Sequence, residues 1–191
     1  MKKNSLNLKV SILLLVIYIA TYVVDLFTTK AITISSVALC VAAILVLTLV
    51  SKKMKSMYYV GIALFAFLSQ YLGAMLNVYT IIPTYDFILH FSSGTLLVLL
   101  ADYGYECLID KHPQASVPNI IRLLFTFFIA VASAAIWEIW EYSGDKLFGL
   151  QSQGGLDDTM TDIIAGSMGA IIGFFLLKSI LNKTKKRTVK G

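Results

Sequence analysis

Residues Asn119–Tyr142 read NIIRLLFTFFIAVASAAIWEIWEY, and this stretch decides the fold. Its charges are Arg122 near the start and Glu138 and Glu141 near the end, with nothing ionisable between them. A hydrocarbon core about 30 Å thick is crossed by about 20 apolar residues in a helix. Backbone polar groups in lipid must be bonded internally, which a run of this length achieves only as a helix. Working outward, five more runs reach the same length, at about 8–28, 31–50, 58–80, 85–107 and 160–181, while this one spans 119–142. Short polar joints separate them, and no repeat, low-complexity tract or linker interrupts the 191 residues. The expectation is an all-α, polytopic protein of the plasma or inner membrane. It forms a single integral membrane domain, 1–191, of six transmembrane helices.

Composition agrees. The chain is 58% hydrophobic and 14% charged, whereas a soluble domain is roughly 45–50% apolar and about 25% charged. That excludes a soluble enzyme, a disordered tail and a nucleic-acid-binding domain. Cys40 and Cys107 fall within apolar runs and are expected to be small packing residues, not a disulfide framework. Met1-Lys2-Lys3 before an apolar run also describes a signal peptide. No small-x-small cleavage site follows and a second apolar run begins at Ala31, so an uncleaved first helix is expected.

Orientation follows from the basic residues, which stay on the cytoplasmic side. Lys2, Lys3 and Lys9 stand at the start of the first run, Lys52, Lys53 and Lys55 follow the second, and Lys111 and Arg122 flank the joint between the fourth and fifth. Lys178, Lys183, Lys185, Lys186, Arg187 and Lys190 close the chain. Fourteen of the 16 Lys and Arg then share one side, with Lys30 and Lys146 on the other. Both termini are expected to be cytoplasmic. The terminal KTKKR run suits anionic lipid better than nucleic acid.

This orientation sorts the acids. Asp102, Glu106 and Asp110 lie towards the cytoplasm. Asp25, Asp86, Glu138, Glu141, Asp145, Asp157, Asp158 and Asp162 lie towards the outside, at the level of His90. Ionisable groups in membrane helices are expensive and mark functional sites. Asp86 and His90, four apart, share a helix face. Pro83-Thr84 reads as a helix start, where an Asp also meets the positive end of the helix dipole. Glu138, Glu141 and Asp145 form a stripe at the C-terminal end of the fifth helix, where carbonyls repel each carboxylate by about 0.3–1 kcal/mol. Trp137 and Trp140 fit an interfacial belt. Thr159-x-x-Asp162 resembles a capping box, and Asp158 and Asp162 share a face. Gly166, Gly169 and Gly173 then form a small-residue stripe suited to close helix approach. Elsewhere, Asp102 is expected to pair with Arg122, and Asp25 has Lys30 nearby. Ser69, Gln70 and Asn77 could offer neutral hydrogen bonds to the site.

Three phrases, Asp86-x-x-x-His90-Phe91, Trp137-Glu138-x-x-Glu141 and Asp158-Thr159-x-x-Asp162 with the glycines after it, resemble the YjdF-like family of small bacterial inner-membrane proteins. The resemblance covers roughly residues 58–180. More distantly the pattern is similar to the VanZ-like family, which is associated with glycopeptide resistance. The chain departs from that pattern at Glu141, where the family tends to have Gln, and at Gly166, where it tends to have Asn. Gln151-Ser-Gln-Gly-Gly replaces a loop that in that family carries an arginine. The site here is more acidic, and antibiotic resistance is not carried over. The resemblance implies a membrane protein whose polar residues matter, in families without a settled biochemical activity.

Carboxylates with one histidine suit a divalent ion, Mg²⁺, Mn²⁺ or Zn²⁺. Asp86, His90, Glu138, Glu141, Asp158 and Asp162 are the candidate ligands. Glu138, Glu141 and His90 are the candidate catalytic groups, with a spare carboxylate as base beside a metal that polarises a phosphoryl oxygen or activates water. One reading is therefore a metal-dependent enzyme acting on membrane lipid or a lipid-linked envelope substrate. A second is a non-catalytic envelope factor in which the acids hold helix ends together. A third, a cation- or proton-coupled transporter, fits less well, because the acids sit near one surface and not at midplane.

Overall fold

The computed structural model of the chain describes residues 5–51, 54–109, 117–150 and 152–188. Among them are helices α1 Ser5–Phe27, α2 Ile34–Val50, α3 Ser56–Ala66, α4 Val78–Ile81, α5 Tyr85–Ile109, α6 Asn119–Phe148 and α7 Leu156–Thr188, with a π-helical segment, Phe67–Met75, continuing α3. No strand occurs among the described residues. Five helical stretches are long and apolar enough to cross a membrane: Ser5–Phe27, Ser56–Met75, Tyr85–Ile109, Asn119–Phe148 and Leu156–Lys183. The other apolar helix, Ile34–Leu49, is shorter. Lys2, Lys3, Lys52, Lys53, Lys111 and Lys190, which contribute to the expected orientation, lie outside the described residues together with Asp110 and Gln151.

Two runs differ from expectation for local reasons. The 31–50 run gives up its first residues to a polar turn. Thr33 caps α2, its Oγ1 accepting from Ser36 N at 3.3 Å, and Lys30 adopts a positive φ of 54°. Asp25 organises this turn: its carboxylate accepts from the Thr29 hydroxyl, from Ala31 N at 3.2 Å and from Ile32 N at 2.9 Å. These bonds, not sequence proximity to Lys30, account for a buried Asp25. The 58–80 run is not one helix either. Past Ala66 the backbone widens until Leu76 N bonds Tyr71 O, five residues back, at 2.9 Å. Asn77 then turns left-handed at φ 60° and starts the short α4.

The chain divides into two compact units, Met1–Tyr85 and Asp86–Gly191. In the first, α1, α2, α3 and the π-helical segment pack around Tyr18, Cys40, Ile44, Tyr59, Ala63, Tyr71 and Met75. Tyr18, Phe67 and Tyr71 stack, the closest centroids 4.8 Å apart. Their polar neighbours are satisfied locally. Ser11 Oγ bonds the Tyr59 hydroxyl and, at 2.8 Å, Thr48 Oγ1, and Thr21 bonds the Tyr71 hydroxyl at 2.6 Å. Ser69, Gln70 and Asn77 belong to this unit.

The second unit is α5, α6 and α7. Its core is built from small and aliphatic residues: Val98, Leu123, Ala130, Ala170 and Leu177. At one end Arg122 Nε bonds Asp102 Oδ1 at 2.5 Å and its Nη2 bonds Glu106 Oε1 at 3.1 Å, while the guanidinium lies 4.8 Å over the Tyr105 ring. The glycines of α7 face α5. A Cβ at Gly169 would collide with the Phe91 carbonyl. One at Gly173 would reach 2.9 Å from Val98 Cβ, and one at Gly94 would strike the Gly166 carbonyl. Thr95 Oγ1 donates to Gly169 O at 2.8 Å across the same seam. Gly166 also abuts α6, where a Cβ would lie 2.9 Å from Ala134 Cβ. Backbones thus touch where side chains would hold them apart.

Candidate metal centre

Helical spacing puts the polar groups on the inward faces. On α6 the buried stripe is Thr126, Ala130, Ala134 and Glu138, four residues apart each time. Its opposite face exposes Ile136, Ile139 and Trp140. Glu138 is therefore where the core stripe ends, and it is 3% exposed. On α7, Asp162 stands one turn before Gly166. A Cβ added to Gly166 would lie 3.7 Å from the carbonyl oxygen of His90, so the close α5–α7 seam brings Asp162 level with that histidine.

The result is a compact triad. His90 Nε2 lies 3.6 Å from Asp86 Oδ1 and 3.8 Å from Asp162 Oδ2. One ligand atom from each of the three can be chosen so that all lie within 4.8 Å of one another. Separations of 3.6 Å and more are too long for hydrogen bonds. Two donors that share one ion at about 2.0–2.6 Å from each are themselves at most about 4–5 Å apart. The His90 and Asp162 side chains are 12% and 4% exposed, and that of Asp86 is 41% exposed, so the triad is walled on two sides and open on the third.

Each of the six expected site residues can now be placed. Asp86, His90 and Asp162 form the triad. Glu138, Glu141 and Asp158 are not among the residues whose ligand atoms lie within 4.8 Å of one another; they add negative charge near Asp162. Among the described residues, neither oxygen of Glu138 has a hydrogen-bond partner. Thr159 Oγ1 accepts from the Gln153 amide at 3.0 Å, which leaves its own proton to interact with Glu138. Glu141 Oε1 instead accepts from Trp137 Nε1 at 2.8 Å. Asp158 Oδ2 accepts from Gly154 N at 3.1 Å. Asp145, the outer end of the α6 stripe, accepts from Ser152 N at 2.9 Å and Gln153 N at 3.0 Å. Asp157 is exposed.

One of these placements revises the sequence reading and another adds to it. The capping box at Thr159-x-x-Asp162 gives way because α7 begins earlier, at Leu156, and Asp158 reaches back to the Gly154 amide. Asp162 is thereby left out of capping and buried in the second turn. Trp137, read as belt, is the donor to Glu141; the i, i+4 spacing was the available signal. A left-handed Gly149, φ 67°, closes α6 with its N–H on Asp145 O at 3.1 Å.

A family model described as "Predicted membrane protein (DUF2238)" matches residues 6–183, nearly the whole chain. The chain belongs to that family. With five membrane-crossing stretches among its described residues, it is a multi-pass membrane protein. A DUF2238 chain of this kind is similar, at 35% identity over 105 residues, to a Thermotoga maritima protein described as "Uncharacterized protein". That match takes in 54% of this chain and 52% of the relative, so the chain spans about half the length of the curated relative it matches. No solved structure matches.

Proposed function

We propose that this DUF2238 protein holds a divalent cation on Asp86, His90 and Asp162 and uses it on a lipid or lipid-linked substrate at the outer face of the membrane. The observation that carries this is the imidazole nitrogen between two carboxylates at 3.6 and 3.8 Å, beyond hydrogen-bonding range of either. A carboxylate cluster of this density costs too much in a low-dielectric setting unless cations or protons neutralise it. The donor set fits an ion. When bound, the ion supplies Lewis acidity to a phosphoryl or carbonyl oxygen and acidifies water. The chain's own residues fix its position, bury two of its sides and leave the Asp86 side open. Exposed Ile88, Ile136, Trp137 and Trp140 on the same helices suit lipid as the approaching ligand.

The reading includes a six-pass topology with both termini cytoplasmic. Its support is the one-sided Lys and Arg distribution; the 17-residue α2, about 25 Å long at the ~1.5 Å helical rise, stands at the short end of the about 17–25 residues that span a membrane. The YjdF-like likeness fits the family, whereas the VanZ-like one rests on short phrases alone. A second reading, a non-catalytic envelope factor, draws on Asp145 and Asp158, whose carboxylates tie down residues 152–154 and give the acids a structural use.

Reconstitution into bacterial lipid extract separates the two. With Mn²⁺ added, mass spectrometry is expected to show a headgroup or lipid-linked species converted, and conversion to cease in Asp162→Asn. Metal binding with no altered lipid favours the envelope factor.

A further inference from the structure

Resting on the cation reading above, we infer that the site is built for a first-row transition ion, Mn²⁺ to Zn²⁺, and that the buried Glu138, outside the triad's mutual reach, turns in as a further protein ligand. Two separate observations carry this.

The first is the nitrogen. His90 Nε2 is the atom nearest both carboxylates, so an ion held by the triad has imidazole as a direct ligand. Mg²⁺ and Ca²⁺ prefer oxygen, and Ca²⁺ takes about six to eight such donors. Imidazole beside carboxylate raises affinity along the transition series, from Mn²⁺ upward. The protein donors number few, and one of them is the type that the hard ions avoid.

The second is Glu138. It is 3% exposed, and both of its oxygens are without a hydrogen-bond partner among the described residues. Buried polar groups in folded proteins are bonded, and a buried one that is not costs about 1–3 kcal/mol, more for a charge. Every other acid around the triad has an occupation. Glu141 takes the Trp137 indole, Asp158 the Gly154 amide and Asp145 two loop amides. Glu138 has no such N–H donor among the described residues, and the Thr159 hydroxyl beside it is the contact it gives up in turning to an ion. Three triad donors leave the open position of a catalytic zinc-type site on the exposed Asp86 side, and Glu138, which is not among the residues whose ligand atoms lie within 4.8 Å of one another, joins them only by turning its side chain, as the ligand that expands the site.

Metal-free protein in lipid nanodiscs, titrated separately with Mn²⁺, Zn²⁺, Mg²⁺ and Ca²⁺, tests the ion class. Mn²⁺ and Zn²⁺ are expected to bind on the order of 100-fold more tightly than Mg²⁺ or Ca²⁺. In the Mn²⁺-loaded protein, pulsed EPR should show nitrogen coupling that His90→Gln removes. Equal affinity for Mg²⁺ or Ca²⁺, or no nitrogen coupling in the wild type, overturns the inference and leaves a divalent site in place. No binding of any of the four ions overturns both. Glu138→Gln keeps the shape, and its Mn²⁺ affinity should fall by at least the roughly 10–100-fold that losing even an outer partner of a metal site costs. Glu138→Asp, a shorter carboxylate, should retain more affinity than the amide. Unchanged affinity in a folded Glu138→Gln protein removes Glu138 from the ligand set.

Discussion

Glu138 and Asp145 carry the same charge near the same end of α6, and what touches them makes them different. Asp145 is taken up by the amides of Ser152 and Gln153, whereas Glu138 is sealed in the core stripe with neither oxygen bonded among the described residues. Asp145→Asn is therefore expected to lower thermal stability through the loop and leave metal affinity unchanged; a calorimetric scan with a Mn²⁺ titration checks both. Arg122 offers a contrast at the other end of the unit. Its guanidinium bonds Asp102 and Glu106 together, and Asp102 is buried. Arg122→Met leaves the buried Asp102 carboxylate without its cation and should cost about 3 kcal/mol. Asp102→Asn in the same chain should recover part of that, measured by unfolding in detergent. Spacing made several of these residues legible: four-residue steps put Asp86 with His90, and the Asp102–Arg122 pair was expected. The Asp158 cap and the isolation of Glu138 were not legible. Both depend on where a loop amide lies and on where a helix starts, and residue identity at a fixed spacing carries neither.

At the level of elements, apolar length was legible and helix detail was not. Five of the six apolar runs reappear as stretches long enough to cross a membrane, because mean apolarity over about 20 residues is what decides that. Hydropathy does not distinguish a bond four residues back from one five residues back, so the widening at Phe67–Met75 left no trace in the apolar pattern. The glycine stripe did show, and its use is now specific. Gly169 and Gly173 let α7 lie on the backbone of α5, and Gly166 fits between α5 and α6 at the depth of His90. A side chain at Gly169 must push Phe91 away, and Phe91 adjoins His90. Gly169→Leu should then reduce Mn²⁺ affinity by about tenfold or more although it touches no ligand, since buried backbone contacts cannot relax around added volume. Gly104, also on α5, has nothing within 4 Å of an added Cβ. Gly104→Ala should stabilise the helix by about 0.5–1 kcal/mol and leave the metal untouched. Equal effects at the two glycines would contradict the seam as what sets the site.

For the whole molecule, charge asymmetry and the metal centre are two faces of one account. In the orientation expected from the sequence, 14 of the 16 Lys and Arg share one side and eight of the 11 acids the other, which suits a cytoplasmic anchor of Lys and Arg and an outward-facing cation site. Ser152, exposed in the α6–α7 loop beside the cluster, reports the orientation. A Ser152→Cys chain in intact cells should react with a membrane-impermeant thiol reagent, and reaction only after permeabilisation would place the site inside. The division between the two units falls at the joint between the 58–80 and 85–107 runs, and the apolar pattern does not set that joint apart from the others. The most direct test of the central claim is elemental analysis of the full chain, loaded with Mn²⁺ or Zn²⁺ and dialysed in detergent. The account predicts about one tightly held ion per chain, as a single mononuclear site requires, and its loss in a folded His90→Gln, Asp162→Asn double variant. A wild-type chain that keeps no ion, or a double variant that keeps as much as the wild type, would contradict it.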